Sequence, residues 1–244
     1  MAGKKTFCDS SNERGKIMKG NITHALREIS PEATSAAASS RLEIRPIRST
    51  AELDCVYRMT HDAYVDMGFI QPQPDGRLVH YPQLDVARET TILIAILDGV
   101  IVGTNSFTLD GPSGLHVDED FKQETDRVRA EGRPLASGWR INTRRNVRDQ
   151  ANIVKSLIGE TLRRQTALGV RTCLFIFNKR HERIYQRLLC MKTIAELPEI
   201  ECVHNFPAVL MRCDFEHLPK WCSRYMDKDL VQEKERLAAE LTTN

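Results

Sequence analysis

The chain has 244 residues, 41% of them hydrophobic and 28% charged, with a formal net charge of +2. That is enough chain for one large domain or two small ones around a buried core. The near-neutral balance excludes the global basic field of a dedicated nucleic-acid binder, though not a local basic patch. The seven cysteines form no C-x-x-C pair and the seven histidines never fall at metal-ligand spacing, so no metal site is expected. Cys173, Cys190 and Cys213 stand in apolar contexts and are expected to be reduced thiols acting as small hydrophobes. The first 30 residues are polar and lack a signal-type apolar core, and the longest apolar runs are too short or interrupted to cross a bilayer. The expectation is a soluble, cytoplasmic protein without a transmembrane segment.

Residues 1–40 read as a flexible tail, because "ISPEATSAAASS" is rich in small residues and nothing before it sustains a periodicity. The ordered domain is expected over 41–219. It opens on the strand "RLEIRPI" and a helix through "TAELDCVYRMTHDAYVDMG", with Thr50 as its cap and Gly68 as its stop. Leu53, Val56, Tyr57, Thr60 and Tyr64 recur along that helix at 3.6-residue spacing. "FIQPQPDGRLVHYPQLD" carries three prolines and a glycine, which predicts a long irregular loop. "TTILIAILDGVIVGTNSFTL" predicts a hairpin turning at Asp98-Gly99. The polar stretch up to Gly132 reads as a helix or a lid-like excursion, and "LASGWRI" as a strand. Arg140, Arg144, Arg145 and Arg148 then crowd into nine positions ahead of a helix whose apolar stripe runs from Ile153 to Leu162 and stops at Gly169. Cations at a strand-to-helix junction suit an anion site, since the first helical amides lack internal partners; a solvated basic turn is the alternative. A buried strand "VRTCLFIF", a short helix over 178–191 and a last strand "FPAVLMRCDF" follow. Residues 220–244 close the chain as an amphipathic helix whose apolar face is Leu230, Val231, Leu237 and Leu241. The order predicts an α+β fold: a mixed, mostly antiparallel sheet flanked by helices, with a βαβ element at its heart.

Four phrases in that order, "VYRMTHDAYVDMGFI", "LDVARETTILIAILDGVIVGT", "DFKQETDRVRAEGRPLASGWRI" and "FNKRHERIYQRLL", resemble the GNAT acyltransferase superfamily. More specifically they resemble its long-chain N-acyl amino acid synthases of the N-acyltyrosine synthase kind, relatives of the acyl-homoserine-lactone synthases, over roughly residues 42–218. The resemblance implies a GNAT-like (acyl-CoA N-acyltransferase) fold. It further implies transfer of a fatty acyl group from a phosphopantetheine thioester to the amine of a small molecule. No tightly bound cofactor is expected: acyl-phosphopantetheine, on an acyl carrier protein or on CoA, is the co-substrate.

By the same resemblance, Tyr64 and Phe69 stand where an aromatic flanks the acyl and acceptor sites, with core packing as the alternative. Asp85 matches the second carboxylate of a D-x-x-D element whose first member is here Pro82; a turn role is its alternative. Thr104 closes a "GT" after which relatives carry an arginine, whereas this chain has Asn105 and Ser106. Ser137 replaces a glutamate three residues before Arg140. These positions form the implied substrate-binding set. Trp139, Arg140 and Ile141 are implied at the splayed strand whose backbone supplies an oxyanion donor, a contribution worth about 3–4 kcal/mol. Asn178 and Tyr185 match residues that meet the pantetheine arm and the leaving thiol, Tyr185 as its acid or as a packed ring.

The turn "RRNVRDQAN" holds no glycine, whereas a pyrophosphate cradle uses glycines for close backbone approach. Arg144, Arg145 and Arg148 are therefore read as binding a phosphopantetheine arm or the acidic surface of an acyl carrier protein. Two further readings stay open: a CoA-dependent acetyltransferase and a catalytically silent GNAT-like module that binds an acyl group or its carrier.

Overall fold

A computed structural model describes residues 41–200 and 206–226. Strand β1 (Leu42–Pro46) leads into helix α1 (Thr50–Asp66) and, after a long loop, a one-turn helix α2 (Pro82–Asp85). Strands β2 (Thr90–Leu97) and β3 (Val100–Leu109) form the hairpin, followed by α3 (Asp118–Arg129) and β4 (Leu135–Thr143). Then come α4 (Gln150–Ala167), β5 (Thr172–Asn178), α5 (Glu182–Leu189), β6 (Lys192–Ile200), β7 (Phe206–Asp214) and α6 (Lys220–Met226). The seven strands make one sheet in the order β1-β2-β3-β4-β5-β7-β6. Every neighbouring pair is antiparallel except β4 and β5, which are joined in parallel across α4.

The local signals act as expected at most junctions. Asp98 (φ 50°) and Gly99 (φ 85°) are both left-handed, the backbone that a two-residue hairpin loop requires. Gly68, Gly132 and Gly169 end their helices at positive φ. Helix α1 is capped one residue earlier than the sequence suggests. Ser49 Oγ accepts from Glu52 N at 3.2 Å, because the cap must lie outside the helix and Thr50 is already its first residue.

Alternation along β4 and β5 sets up two faces. Asn142 reaches Thr60 of α1 and Thr143 reaches Gln150 of α4, so α1 and α4 lie on opposite sides. On the α4 side, Val154, Ile158 and Leu162 pack with Cys173, Leu188, Leu189, Met211 and Cys213. On the other, Leu115, Val117, Phe121 and Val128 pack with Leu174 and Leu210. The stretch around α3 is thus a docked helix with a kink at Phe121 (φ −132°, ψ 41°). Arg129 fastens it by hydrogen bonds to Asp110 and Asp118.

Three features depart from the sequence reading. Strand β6 has no apolar alternation to announce it and contains Pro198, which an edge strand tolerates because its outer amides need no partner. Cys190 is exposed, being the left-handed residue (φ 53°) that ends α5. Residues 220–226 belong to the domain's packing: Cys222 is fully buried and Trp221 Nε1 donates to the Leu188 carbonyl at 3.2 Å. The tail expected over 1–40 and the apolar face expected at Leu230 to Leu241 lie outside the described residues.

Helix α6 meets α4 at Gly159, where an added Cβ would stand 2.3 Å from the Tyr225 ring. An alanine normally stabilises a helix interior by about 1 kcal/mol over glycine. Here Gly159→Ala is expected to destabilise by about 1–3 kcal/mol through overpacking. Adding Tyr225→Ala should return the ordinary helix gain. Denaturant melts of the two variants check both signs.

Candidate active site

The centre of the sheet opens at β4. Its ladder to β5 holds only Leu135↔Thr172, Ala136↔Cys173 and Ser137↔Leu174. Beyond Ser137 the two strands part, and the peptide groups of 139–141 have no strand on that side. Against β3 the same stretch carries a bulge, with three residue steps from Trp139 to Asn142 facing two from Ser106 to Thr104. The extra residue is accommodated at Arg140, which sits at φ 58°. As a result Trp139 and Arg140 both turn to the α1 face, while Ile141 packs on the α4 side.

Arg140 is held there by charge. Its fully buried guanidinium lies 2.8 Å from Asp85 Oδ1 and donates through Nη2 to Oδ2 at 3.0 Å. The 2.8 Å contact is off the hydrogen-bonding direction, leaving Arg140 Nε and Nη1 and Asp85 Oδ1 without a hydrogen-bond partner. Tyr57 donates to Asp85 Oδ2 at 2.8 Å, and burial with this bond pushes its hydroxyl up to about 12. The guanidinium also lies 4.3 Å above the Trp139 ring and 5.5 Å from the Tyr57 ring.

A cavity of about 180 Å³ threads the gap between β4 and β5. Tyr64, Phe69, His80, Tyr81 and His116 line its α1 side, with Trp139, Arg140 and Ile141 at the gap. Ile158, Leu162, Leu189, Met191 and Phe215 line its far, apolar side. Phe175, Phe177 and Tyr185 stack along its wall, with centroids 5.5 and 3.7 Å apart. Gly138 makes this possible, since a Cβ there would lie 2.2 Å from the Phe175 ring.

The polar end is uncharged apart from Arg140 and a rim carboxylate. His116 Nδ1 lies 3.0 Å from Ser137 Oγ, and its ring packs 6.1 Å from Trp139 and 5.6 Å from Tyr81. Burial lowers His116 to about 3. Burial, followed by repulsion from Arg140, lowers His80 to about 4, and its Nε2 has no hydrogen-bond partner. Burial and then Arg180 lower His181 to about 4. All three imidazoles are therefore neutral at pH 7. Asp120 of α3 lines the same cavity, and burial raises its carboxyl above the usual range.

The structure brings together Tyr64, Phe69, Trp139, Arg140, Ile141, Asn178 and Tyr185, all in the cavity wall. Tyr185 is buried and stacked on Phe177, and burial raises its hydroxyl well above the ordinary tyrosine range. Asn178 Oδ1 accepts from Arg180 N, leaving its buried Nδ2 without a partner. Asp85 and Ser137 stand one layer back, behind Arg140 and His116. Thr104 and Ser106 do not line the cavity: both are fully buried within β3, and the Thr104 hydroxyl bonds the Leu93 carbonyl. Instead their neighbour Asn105 reaches it, donating to Thr161 at 2.8 Å.

The four arginines part company. Arg140 is internal; Arg144 Nε donates to the Ile101 carbonyl, Arg145 pairs with Asp66 at 2.7 Å, and Arg148 is exposed. Their turn reaches left-handed backbone without glycine, at Asn146 (φ 54°) and Asp149 (φ 57°), residue types that tolerate it. His80, Tyr81, His116 and Asp120 are not named individually by the sequence; His80 and Tyr81 sit in the proline-rich connection, and His116 and Asp120 in the stretch read as a helix or lid-like excursion.

A splayed parallel pair at the centre of such a sheet, with a cavity through the gap, defines the GNAT-fold class of acyltransferases. The solved structure of FeeM, an N-acyl amino acid synthase from uncultured soil microbes, superposes with a TM-score of 0.63. It is 21% identical and covers 73% of this chain and 93% of its own. BjaI, a CoA-dependent acyl-homoserine lactone synthase, matches at TM-score 0.51 and 16% identity over 76% of this chain and 92% of its own. An N-acetyltransferase from Staphylococcus aureus Mu50 matches at 0.51 and 14% over 72% of this chain and 99% of its own. No curated protein sequence matches. The family profile "N-acyl amino acid synthase FeeM" matches residues 55–214. The chain belongs to that family and is an N-acyltransferase.

Two consequences are measurable. Asp85→Ala strands a buried guanidinium and is expected to cost about 3–5 kcal/mol, whereas Asp85→Leu with Arg140→Met should recover most of it; urea midpoints compare them. The histidine effect follows from linkage. The unfolded imidazole takes a proton near pH 6.5 while His80, His116 and His181 stay neutral to about pH 4 or below. Their contribution is complete above pH 6.5 and is lost as pH falls towards 4. Each steepens the fall by up to about 1.4 kcal/mol per pH unit. His116→Gln should flatten that slope relative to the parent in stability measured from pH 7 to 4.

Proposed function

We propose that this enzyme moves a fatty acyl group from the phosphopantetheine thioester of an acyl carrier protein to the amine of an amino acid or similar small molecule. The observation that carries this reading is one continuous cavity, mostly apolar on the α4 side and polar on the α1 side, pierced through the sheet between β4 and β5. The whole cavity, at about 180 Å³, is a little larger than the roughly 150 Å³ of a dry cavity that holds benzene, so it admits several carbons of an acyl chain.

The residues divide the work. Ile141, Phe175, Ile158, Leu162 and Leu189 receive the acyl chain, with the thioester carbonyl beside the unpaired peptides of 139–141. Backbone donors there stabilise the oxyanion as carbon is attacked. Asn178 Nδ2, a buried donor lacking an acceptor, suits an amide carbonyl of the pantetheine arm. The attacking amine must be neutral, and with an ordinary value near ~8 an α-amino group needs only a modest base. His116 has one nitrogen engaged by Ser137, which leaves Nε2 for the amine proton. Although burial makes this imidazole weakly basic, the negative charge growing on the oxyanion favours its protonated form. The C–N bond forms with the oxyanion, collapse of that intermediate breaks C–S, and the departing thiolate takes up the proton that His116 received from the amine. Ser137 thus serves through His116 where relatives carry a carboxylate.

The choice of carrier rests on the turn before α4. Asn146 and Asp149 place side chains where glycines would let backbone approach a pyrophosphate, and Arg148 and its neighbours present a basic surface. CoA is the second reading, favoured by the likeness in fold to the CoA-dependent BjaI.

Incubation with long-chain acyl carrier protein or acyl-CoA and pooled amino acids, followed by mass spectrometry, is expected to yield N-acyl product, faster from the carrier. His116→Gln should lower kcat/KM by about 100-fold or more. Neutralising Arg144, Arg145 and Arg148 together should raise KM for the carrier and flatten its salt dependence. Equal rates with both donors would remove the carrier preference.

A further inference from the structure

Most partly buried arginines of the described residues hold a carboxylate. Arg45 holds Glu52, Arg129 holds Asp110 and Asp118, Arg140 holds Asp85, and Arg212 holds Glu131 and Asp214. Arg180 is more exposed to solvent than these and is held differently. Its guanidinium carbon lies 4.7 Å from the centroid of the Phe69 ring and 5.6 Å from that of Phe206, two rings that meet edge to face at 5.4 Å. Among the described residues it has no carboxylate partner, and burial alone acts on its charge, lowering its pKa. Its backbone is fixed as well, because Arg180 N donates to Asn178 Oδ1 at 3.1 Å.

Aromatic faces stabilise a guanidinium from above and below but accept none of its in-plane hydrogen bonds. Five N–H donors therefore remain in a fork that matches a carboxylate. The place is informative too. Phe69 lines the cavity on the same side as Tyr64, and Asn178 and His181, which flank Arg180 in sequence, line it as well. A pre-set cation with no carboxylate partner among the described residues thus stands next to residues that line the cavity.

We infer that Arg180, clamped on Phe69 and Phe206, is the residue that binds the carboxylate of an amino acid acceptor. This rests on the acyl-transfer reading above. In an α-amino acid the carboxylate sits two bonds from the amine nitrogen, so anchoring one directs the other into the cavity. Arg180 is a specificity-determining residue and takes no proton.

The test pairs the enzyme change with a substrate change. Parent and Arg180→Gln enzymes are assayed with the best L-amino acid of a pool and with its primary amide, using one acyl donor. For the parent, the amino acid should have a KM about 10- to 100-fold below that of the amide, the size of a lost charge-assisted pair. Arg180→Gln should raise KM for the amino acid by a similar factor and leave both the amide and the acyl donor unchanged. Arg180→Lys should restore part of the difference. Equal KM for acid and amide in the parent overturns the inference alone. So does a rise confined to the acyl donor, which would make Arg180 a contact for the acidic carrier. Product from neither acceptor class overturns the acyl-transfer reading, and the inference with it.

Discussion

The buried pair of Arg140 and Asp85 holds a backbone conformation that a residue with a Cβ seldom adopts. At φ 58° Arg140 carries a left-handed strain of about 1–2 kcal/mol. Its guanidinium, bonded to Asp85 and layered between Trp139 and Tyr57, makes that conformation the stable one. Everything at the site follows from the bulge this creates. Two consecutive side chains face α1, Ile141 turns to the α4 side, and β4 is carried away from β5 just beyond Ser137. Without that departure the sheet would close and the cavity would have no passage through it.

The opening separates two kinds of chemistry. On one side Tyr64, His80, Tyr81, His116 and Trp139 form a polar wall beside Arg140; on the other, aliphatic and aromatic side chains predominate, interrupted by Asn105, Thr161 and Gln165. An acyl thioester meeting an amine has the same division, with an apolar tail, a carbonyl at the boundary and a polar partner. Neutral imidazoles matter to the proposed transfer, because a protonated one could not accept the amine's proton. Burial keeps them neutral far below physiological pH.

Features read from neighbours in sequence held. The stripes on α1 and α4, the Asp98-Gly99 turn and the glycine stops are local consequences of 3.6- or 2-residue repeats and of φ, and each appears where its signal stood. Strand β6 escaped because an edge strand with one half-buried face and a proline carries little alternation. The site was legible in part. Trp139, Ile141, Asn178, Tyr185, Tyr64 and Phe69 could be named from ordered phrases and do meet in one wall. Thr104 and Ser106 could be named too, but the bulge opposite them turns the cavity towards Asn105 instead.

By itself, then, the sequence determined an α+β domain with a central βαβ unit, the class of acyl-transfer chemistry its phrases resemble, and the strand at which the central cavity opens. Only the tertiary structure decided that Asp85 locks Arg140, that Ser137 holds His116, and that Arg180 rests on Phe69 and Phe206. These partners are 55, 21 and 111 or 26 positions apart, and no periodic signal spans such distances. A repeat in the chain specifies which face a residue takes; which distant side chain meets it there depends on how the strands part and the helices close over them.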